Sequence, residues 1–165
     1  MEALATRPSP ELPPEEFFER FPEGLYEISA QMLESDELES TAELEHLLPA
    51  APDNITVNGE GVPEDCEEDD PPAVEPPVLI SWDPVTLSHP EIGRTGEPVE
   101  VLKYQVVVER EEPDLLVYSV DLPSNLTTMT IPDEFTALGD EFKLEILARE
   151  ANGNQTAVES CFAVE

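Results

Sequence analysis

The second part of the chain alternates apolar and polar residues over short segments that turn-forming residues separate. In one of these segments Tyr104, Val106 and Val108 fall on the same side. A period of two is that of a β-strand with one buried face. The pattern predicts seven strands, at 54–57, 78–82, 102–109, 115–120, 127–131, 142–149 and 156–164. Seven short strands without a long helix between them predict an all-β, antiparallel sandwich.

The first part of the chain carries other patterns. Residues 14–21 predict one or two helical turns, because proline is accepted at a first helical position and Phe17 and Phe21 fall on one face. Residues 25–46 alternate on either side of Ser35-Asp36, which predicts a β-hairpin, while their glutamates and leucines leave a helix as the alternative. The predicted organisation is an acidic, proline-rich tail with a short helical turn at 1–22, a hairpin extension at 23–48 and a β-domain at 49–165.

The β-domain at 49–165 resembles a fibronectin type III domain. The resemblance rests on Pro52 before Asn-Ile-Thr-Val at 54–57 as the first strand, Leu-Ile-Ser-Trp-Asp-Pro at 79–84 as the second, Tyr-Gln-Val at 104–106 as the third, 127–131 as the fifth and Phe-Lys-Leu-Glu-Ile-Leu-Ala at 142–148 as the sixth. It implies an immunoglobulin-like sandwich of seven antiparallel strands with Trp82, Tyr104 and Phe142 in its core. The part before Pro49 is not covered by this resemblance; it is similar to the segment that precedes such a domain in some acidic bacterial secreted proteins.

Two features depart from the family pattern. The family usually places a tyrosine at the corner before the sixth strand, whereas Phe142 stands there and lacks the hydroxyl that bonds upstream backbone. This corner must therefore be fastened in another way. The connection between the first and second strands, 58–77, is also long and carries the acidic run 64–70.

The resemblance also bears on the two cysteines, Cys66 and Cys161. In the implied sandwich, the connection that carries Cys66 and the end of the seventh strand lie at the same pole. The resemblance thus implies a disulfide, which requires a Cα separation of about 4.4–6.8 Å; two separate thiols are the alternative. A disulfide implies an oxidising compartment, and so an extracellular or cell-surface protein. Since the first ten residues do not resemble a signal peptide, export would require one that this chain does not include.

Charge excludes two classes of partner. Asp and Glu number 39 against 7 Lys and Arg, so the formal net charge is −32. Such a surface repels phosphate backbones and anionic lipids, which argues against nucleic-acid binding and binding to membrane surfaces. The sequence also has no apolar run of about 18 residues, so membrane insertion is not expected.

The sequence carries no pattern typical of a catalytic or cofactor site. Its two histidines, His46 and His89, have no nucleophile motif beside them, and no glycine-rich phosphate loop occurs. The acidic run 64–70 lacks the ordered ligand spacing of a calcium loop and is interpreted as a solvated loop. We therefore expect no enzyme activity, no cofactor and no metal ion.

These observations leave two hypotheses for function. The resemblance implies a non-catalytic, monomeric binding or adhesion module that contacts an unidentified protein or glycan. A structural spacer within a larger secreted or envelope protein is the alternative. A specific partner with low micromolar affinity favours the binding module over the spacer.

The charge generates a prediction about salt. Repulsion among the acids destabilises the fold at low ionic strength, and screening relieves it, because the Debye length falls from about 30 Å at 0.01 M to about 3 Å at 1 M. The melting temperature, followed by circular dichroism, should rise between these two concentrations of sodium chloride. Calcium should add no more than magnesium; a calcium-specific rise at sub-millimolar concentration would contradict the interpretation of 64–70 as a solvated loop.

Overall fold

The computed structural model of the chain describes residues 12–31, 37–64, 66 and 68–165. It divides the chain into two compact units, Met1–His46 and Leu47–Glu165. The first eleven residues of the predicted tail, the predicted turn at Ser35-Asp36, and Asp65 and Glu67 of the acidic run lie outside the described residues. None of the helices in the described ranges combines the length and the apolar character needed to cross a membrane.

The first unit contains a short helix and a hairpin. Helix α1 spans Pro14–Arg20, and strands β1 (Gly24–Gln31) and β2 (Glu37–Leu44) pair antiparallel. Proline at the start and acids in the first turn favour the helix at this place. The pairing sets Tyr26 opposite Ala42 and Ile28 opposite Ser40, so the two alternating patterns share one face. The hairpin prediction is thus confirmed against the helical alternative.

The second unit consists of two sheets. Its elements are β3 (Thr56–Val57), β4 (Glu60–Gly61), β5 (Ala73–Val74), β6 (Leu79–Ser81), β7 (Val101–Arg110), β8 (Leu116–Pro123), β9 (Thr128–Thr130), α2 (Asp133–Thr136), β10 (Glu141–Glu150) and β11 (Gln155–Val164). One sheet has the order β5-β11-β10-β7-β8 and the other the order β4-β3-β6-β9. The sheets pack as a sandwich-like β-fold, and all seven strands predicted from alternation are present.

An apolar core lies between the sheets. β3 and β6 contribute Val57 and Ile80, and the inward residues of β7 and β10 alternate with outward ones, as the period of two requires. The three core residues expected from the sequence, Trp82, Tyr104 and Phe142, are at most 4% exposed. The rings of Trp82 and Tyr104 meet edge to face at 5.4 Å, a favourable aromatic arrangement.

Tyr104 also fixes the chain that follows β6. Its hydroxyl accepts a hydrogen bond of 2.8 Å from the backbone N–H of Val85. Burial raises the pKa of the Tyr104 hydroxyl, and the bond from Val85 opposes this rise. A buried tyrosine needs such a partner for its oxygen, so this contact holds the 83–85 segment against the core.

The prediction of seven purely antiparallel strands misses two short ones. Asn58 and Gly59, both at positive φ, turn β3 into β4, as an Asn-Gly dipeptide favours. β5 pairs with β11 in parallel, and Ala163 N–H donates to Pro72 C=O at 2.9 Å. A two-residue strand next to prolines shows no alternation, so the period of two did not reveal it. The long connection 58–77 therefore contributes to both sheets.

Arg110 fastens the corner before β10, where Phe142 has no hydroxyl to bond the backbone. At the end of β7, its Nη1 donates to Leu138 C=O at 2.5 Å and its Nη2 donates to Asp114 C=O at 2.9 Å. The stem of the side chain crosses Gly139, where an added Cβ would approach Arg110 Cδ to 2.6 Å. Gly139 is thus required because the arginine passes directly over it.

This contact predicts a stability effect. Arg110→Met removes two charge-assisted bonds and should lower the free energy of unfolding by about 1.5–3 kcal/mol, measured by urea denaturation. Arg149→Met is the matched control, since that guanidinium donates to the side chain of Gln155 at the surface; it should cost about 0.5 kcal/mol or less. Gly139→Ala should destabilise the native protein but have little effect when Arg110 is already replaced by alanine. Equal costs in both backgrounds would contradict this account of the corner.

Candidate functional site

The two cysteines lie together. Cys66 and Cys161 form a disulfide in the structure, with a Cα–Cα distance of 6.0 Å across 95 residues of sequence. The pairing that the resemblance implied is therefore present. Closing a loop of this length stabilises a fold by about 4–5 kcal/mol in the chain-entropy treatment. The bond ties the connection after β4 to β11, and Ser160 Oγ supports it by donating to Pro63 C=O at 2.8 Å.

Three glutamates lie side by side on the outward surface next to this disulfide. Glu109 is on β7, Glu145 on β10 and Glu159 on β11, and we call these three residues the carboxylate face. Glu145 and Glu159 are direct cross-strand partners, and Glu109 is the partner of Lys143. Because Leu144 of β10 points into the core, its neighbours Lys143 and Glu145 must point outward. Like charges directly opposite each other destabilise a sheet.

The carboxylate face borders a cavity at the surface. Its volume is about 310 Å³. The residues that line it come from β7, β10, β11 and the chain before the disulfide: Glu64, Cys66, Glu109, Lys143, Leu144, Glu145, Glu159 and Ser160. Glu64, two residues before Cys66, thus lines the same cavity as the three glutamates on the sheet.

The charge of these carboxylates is compensated only in part by Lys143. Partial burial raises the pKa of Glu145, and the charges of Glu159 and Glu109 raise it further. Lys143 is the cation within the described lining, but its Nζ binds Glu111 at 2.9 Å, outside the cavity. The pKa of Lys143 is raised chiefly by its hydrogen bond to Glu111 and by the charge of Glu111, and only then by Glu159 and Glu109. The cavity therefore presents net negative charge.

No family model matches this chain, and no curated protein matches it with significant similarity.

The described residues do not form a metal site. Among them, no group of three or more His, Cys, Asp or Glu side chains is arranged to hold a metal ion. The described acids of the 64–70 run are exposed, and Cys66 within it is engaged in the disulfide.

Both histidines make local structural contacts. His46 lies 2.8 Å from Phe21 C=O through Nε2, and its ring lies 4.2 Å from that of Phe18. His89 Nδ1 accepts bonds from the backbone N–H groups of Glu91 and Ile92, each at 3.1 Å. Accepting two N–H bonds requires that Nδ1 carry no proton. His89 therefore stabilises its own loop.

The carboxylate face was not anticipated from the sequence. Its three glutamates occupy outward positions of predicted strands, where an acid is unremarkable in so acidic a chain. Only the pairing of β10 with both β7 and β11 brings them together. The sequence does show that each acid lies at an outward position. Predicting that the three lie together also requires the strand order and register.

The electrostatics predict a pH dependence for Glu145. Its pKa is raised in the folded protein, so the folded state binds more protons than the unfolded state above the ordinary pKa of 4.5. The free energy of unfolding must then fall as the pH rises from this value through the raised pKa. Glu145→Gln removes the effect and should melt at a higher temperature than the native protein at pH 7, but not below about pH 4. Glu60→Gln, at an exposed position on β4, is the control. A lower melting temperature for Glu145→Gln at pH 7 would refute the assignment.

Proposed function

We propose that residues 49–165 are a fibronectin type III-like binding module of an extracellular or cell-surface protein, and that its carboxylate face docks a cationic region of a partner protein. The strand order supports the family assignment. β3, β6 and β9 correspond to the first, second and fifth strands of such a domain, and they share a sheet. β7, β8, β10 and β11 correspond to the remaining four and share the other.

The disulfide supports the proposed location. Bonds of this kind form and persist in oxidising compartments, whereas the cytosol keeps thiols reduced. Cys161 is buried in β11 and Cys66 lies on a long acidic connection, so the bond restrains chain that has few apolar residues of its own. A disulfide that restrains such a segment is typical of small secreted domains.

One observation carries the binding function: three carboxylates lie together beside a cavity whose one described cation, Lys143, binds Glu111 and offsets their charge only in part. Their mutual repulsion opposes folding, and a spacer gains nothing from it. A lysine or arginine from a partner would relieve the repulsion and offset the cost of desolvating Glu145. A protein surface rich in these residues fits better than a neutral glycan, which brings no charge.

Cationic docking can be tested with a hexalysine peptide as the probe. The variant Glu109→Gln/Glu145→Gln/Glu159→Gln should bind a fluorescent hexalysine peptide about tenfold more weakly than the native protein, equivalent to about 1.4 kcal/mol, by fluorescence anisotropy at 0.15 M salt. The neutral sugar maltohexaose should not bind measurably.

The matched control separates a local site from overall charge. Glu60→Gln/Glu91→Gln/Glu134→Gln removes the same three charges at exposed positions away from the carboxylate face, and its affinity for hexalysine should stay near that of the native protein. Equal weakening in both triple variants would show that only the net charge matters, and would overturn the proposed site.

A further inference from the structure

The four outer edges of the sandwich differ greatly in length. β4 and β5 have two residues each and β9 has three, whereas β8 has eight. Among the described residues, β8 pairs with β7 alone. An unpaired edge strand presents a row of free N–H and C=O groups, and proteins commonly limit this hazard by making edge strands very short. β8 is the edge where this sandwich does not do so.

The side chains of β8 leave this edge unprotected as well. Tyr118, Val120 and Leu122 turn inward and pack against the core. Val117 of β8 faces outward and is 51% exposed, and Leu115, just before the strand, is 62% exposed. Charged side chains, which usually guard an edge, are scarce here despite the net charge of −32.

The single charge of β8 is also neutralised. Asp121 is the charged residue of the strand, and it binds Lys103 Nζ at 2.6 Å. Lys103 lies on β7, so this ion pair stays within the sheet. β8 therefore offers a nearly neutral, apolar edge with free backbone groups.

We propose that β8 is a docking edge for an extended segment of a partner protein, which adds to the sheet as a further strand. The row of N–H and C=O groups between Leu116 and Leu122 is matched only by another extended backbone. Pro123 ends this row, because it has no N–H and its C=O accepts a bond from Leu126 N–H. Apolar side chains at alternate positions of the incoming segment would cover Val117 and Leu115. We expect the added strand to be antiparallel to β8, because this pairing is the more stable one per residue.

Charge specifies the partner further. Glu112 and Asp114 precede β8, are exposed and form no ion pair with any described residue. In an antiparallel addition, the C-terminal end of the incoming segment lies beside them. This segment therefore carries lysine or arginine at its C-terminal end. A second copy of the chain fits poorly, since two bodies of charge −32 repel each other.

This docking edge goes beyond the proposed function. The carboxylate face requires outward glutamates on β7, β10 and β11, whereas the docking edge requires the free backbone of β8. The two can fail independently, and their experiments use different probes and different variants.

The probe is an acetylated peptide of alternating threonine and valine with Lys-Arg at its C-terminus. It should bind the native protein, and replacing its two central residues by proline should weaken binding at least about tenfold, because proline lacks an N–H group and cannot join a ladder. The same residues with Lys-Arg at the N-terminus should bind more weakly. Equal affinity for the proline peptide would overturn strand addition.

Variants of the protein test the position. Val117→Lys places a charge on the edge and should weaken binding about tenfold, whereas Leu87→Lys, at a similarly exposed apolar residue outside β8, should not. Thermal unfolding confirms that both variants fold. Loss of binding in both variants, or in neither, would contradict the assignment to β8.

Amide hydrogen exchange gives a direct readout. In the free protein alternate amides between Leu116 and Leu122 should exchange rapidly, and the peptide should protect them without changing β3 or β9. The Glu109→Gln/Glu145→Gln/Glu159→Gln variant should keep this protection even where it no longer binds hexalysine. Protection elsewhere, or protection of β8 without peptide in a concentration-dependent dimer, would overturn the proposal, the latter by showing a second copy as the occupant.

Discussion

The sandwich depends on the burial of alternate side chains along β7 and β10, two of the three long interior strands of the larger sheet. Residues such as Val106 and Ile146 are fully buried between the sheets. The same alternation forces every intervening residue outward. The alternation therefore determines both the core and the carboxylate face. Shifting the register of either strand by one residue would turn its core residues outward and its outward residues into the core.

The few basic residues of this acidic chain are concentrated on two strands. Four of the seven basic residues lie on β7 and β10. Lys103 joins β7 to Asp121 of β8, and Arg149 joins β10 to Gln155 of β11. Lys143 reaches Glu111 after β7, and Arg110 holds the corner at Leu138. Each contact links segments that the core already brings together, so these cations reinforce the sheet instead of neutralising the surface.

The sequence predicted the strands well because alternation survives even where acids fill the outward positions. It also predicted the burial of Trp82, Tyr104 and Phe142. It could not predict β4 and β5, since two residues are too few to show a period. The role of Arg110 depends on a long-range approach to Gly139, which leaves no trace in either local segment.

The carboxylate face escaped prediction for a different reason. An outward glutamate is common at each of the three positions in so acidic a chain. Only the register of β7, β10 and β11 brings the three together. Register is a property of pairs of strands and cannot be derived from one strand at a time. The disulfide could be predicted from the sequence, because the implied sandwich places both cysteines at the same pole.

The two sides of the larger sheet are treated in opposite ways. On the β11 side, β5 covers part of the edge, and the Cys66–Cys161 bond fixes the chain that supplies it. On the other side, β8 ends the sheet with neither a covering segment nor a guarding charge among the described residues. The charge that β8 carries, Asp121, is paired with Lys103, and one or two further acids would add unpaired charge, which hinders edge pairing. Val117 at this edge, and β5 over part of the other, fit a sheet with one partly covered edge and one edge available to a partner.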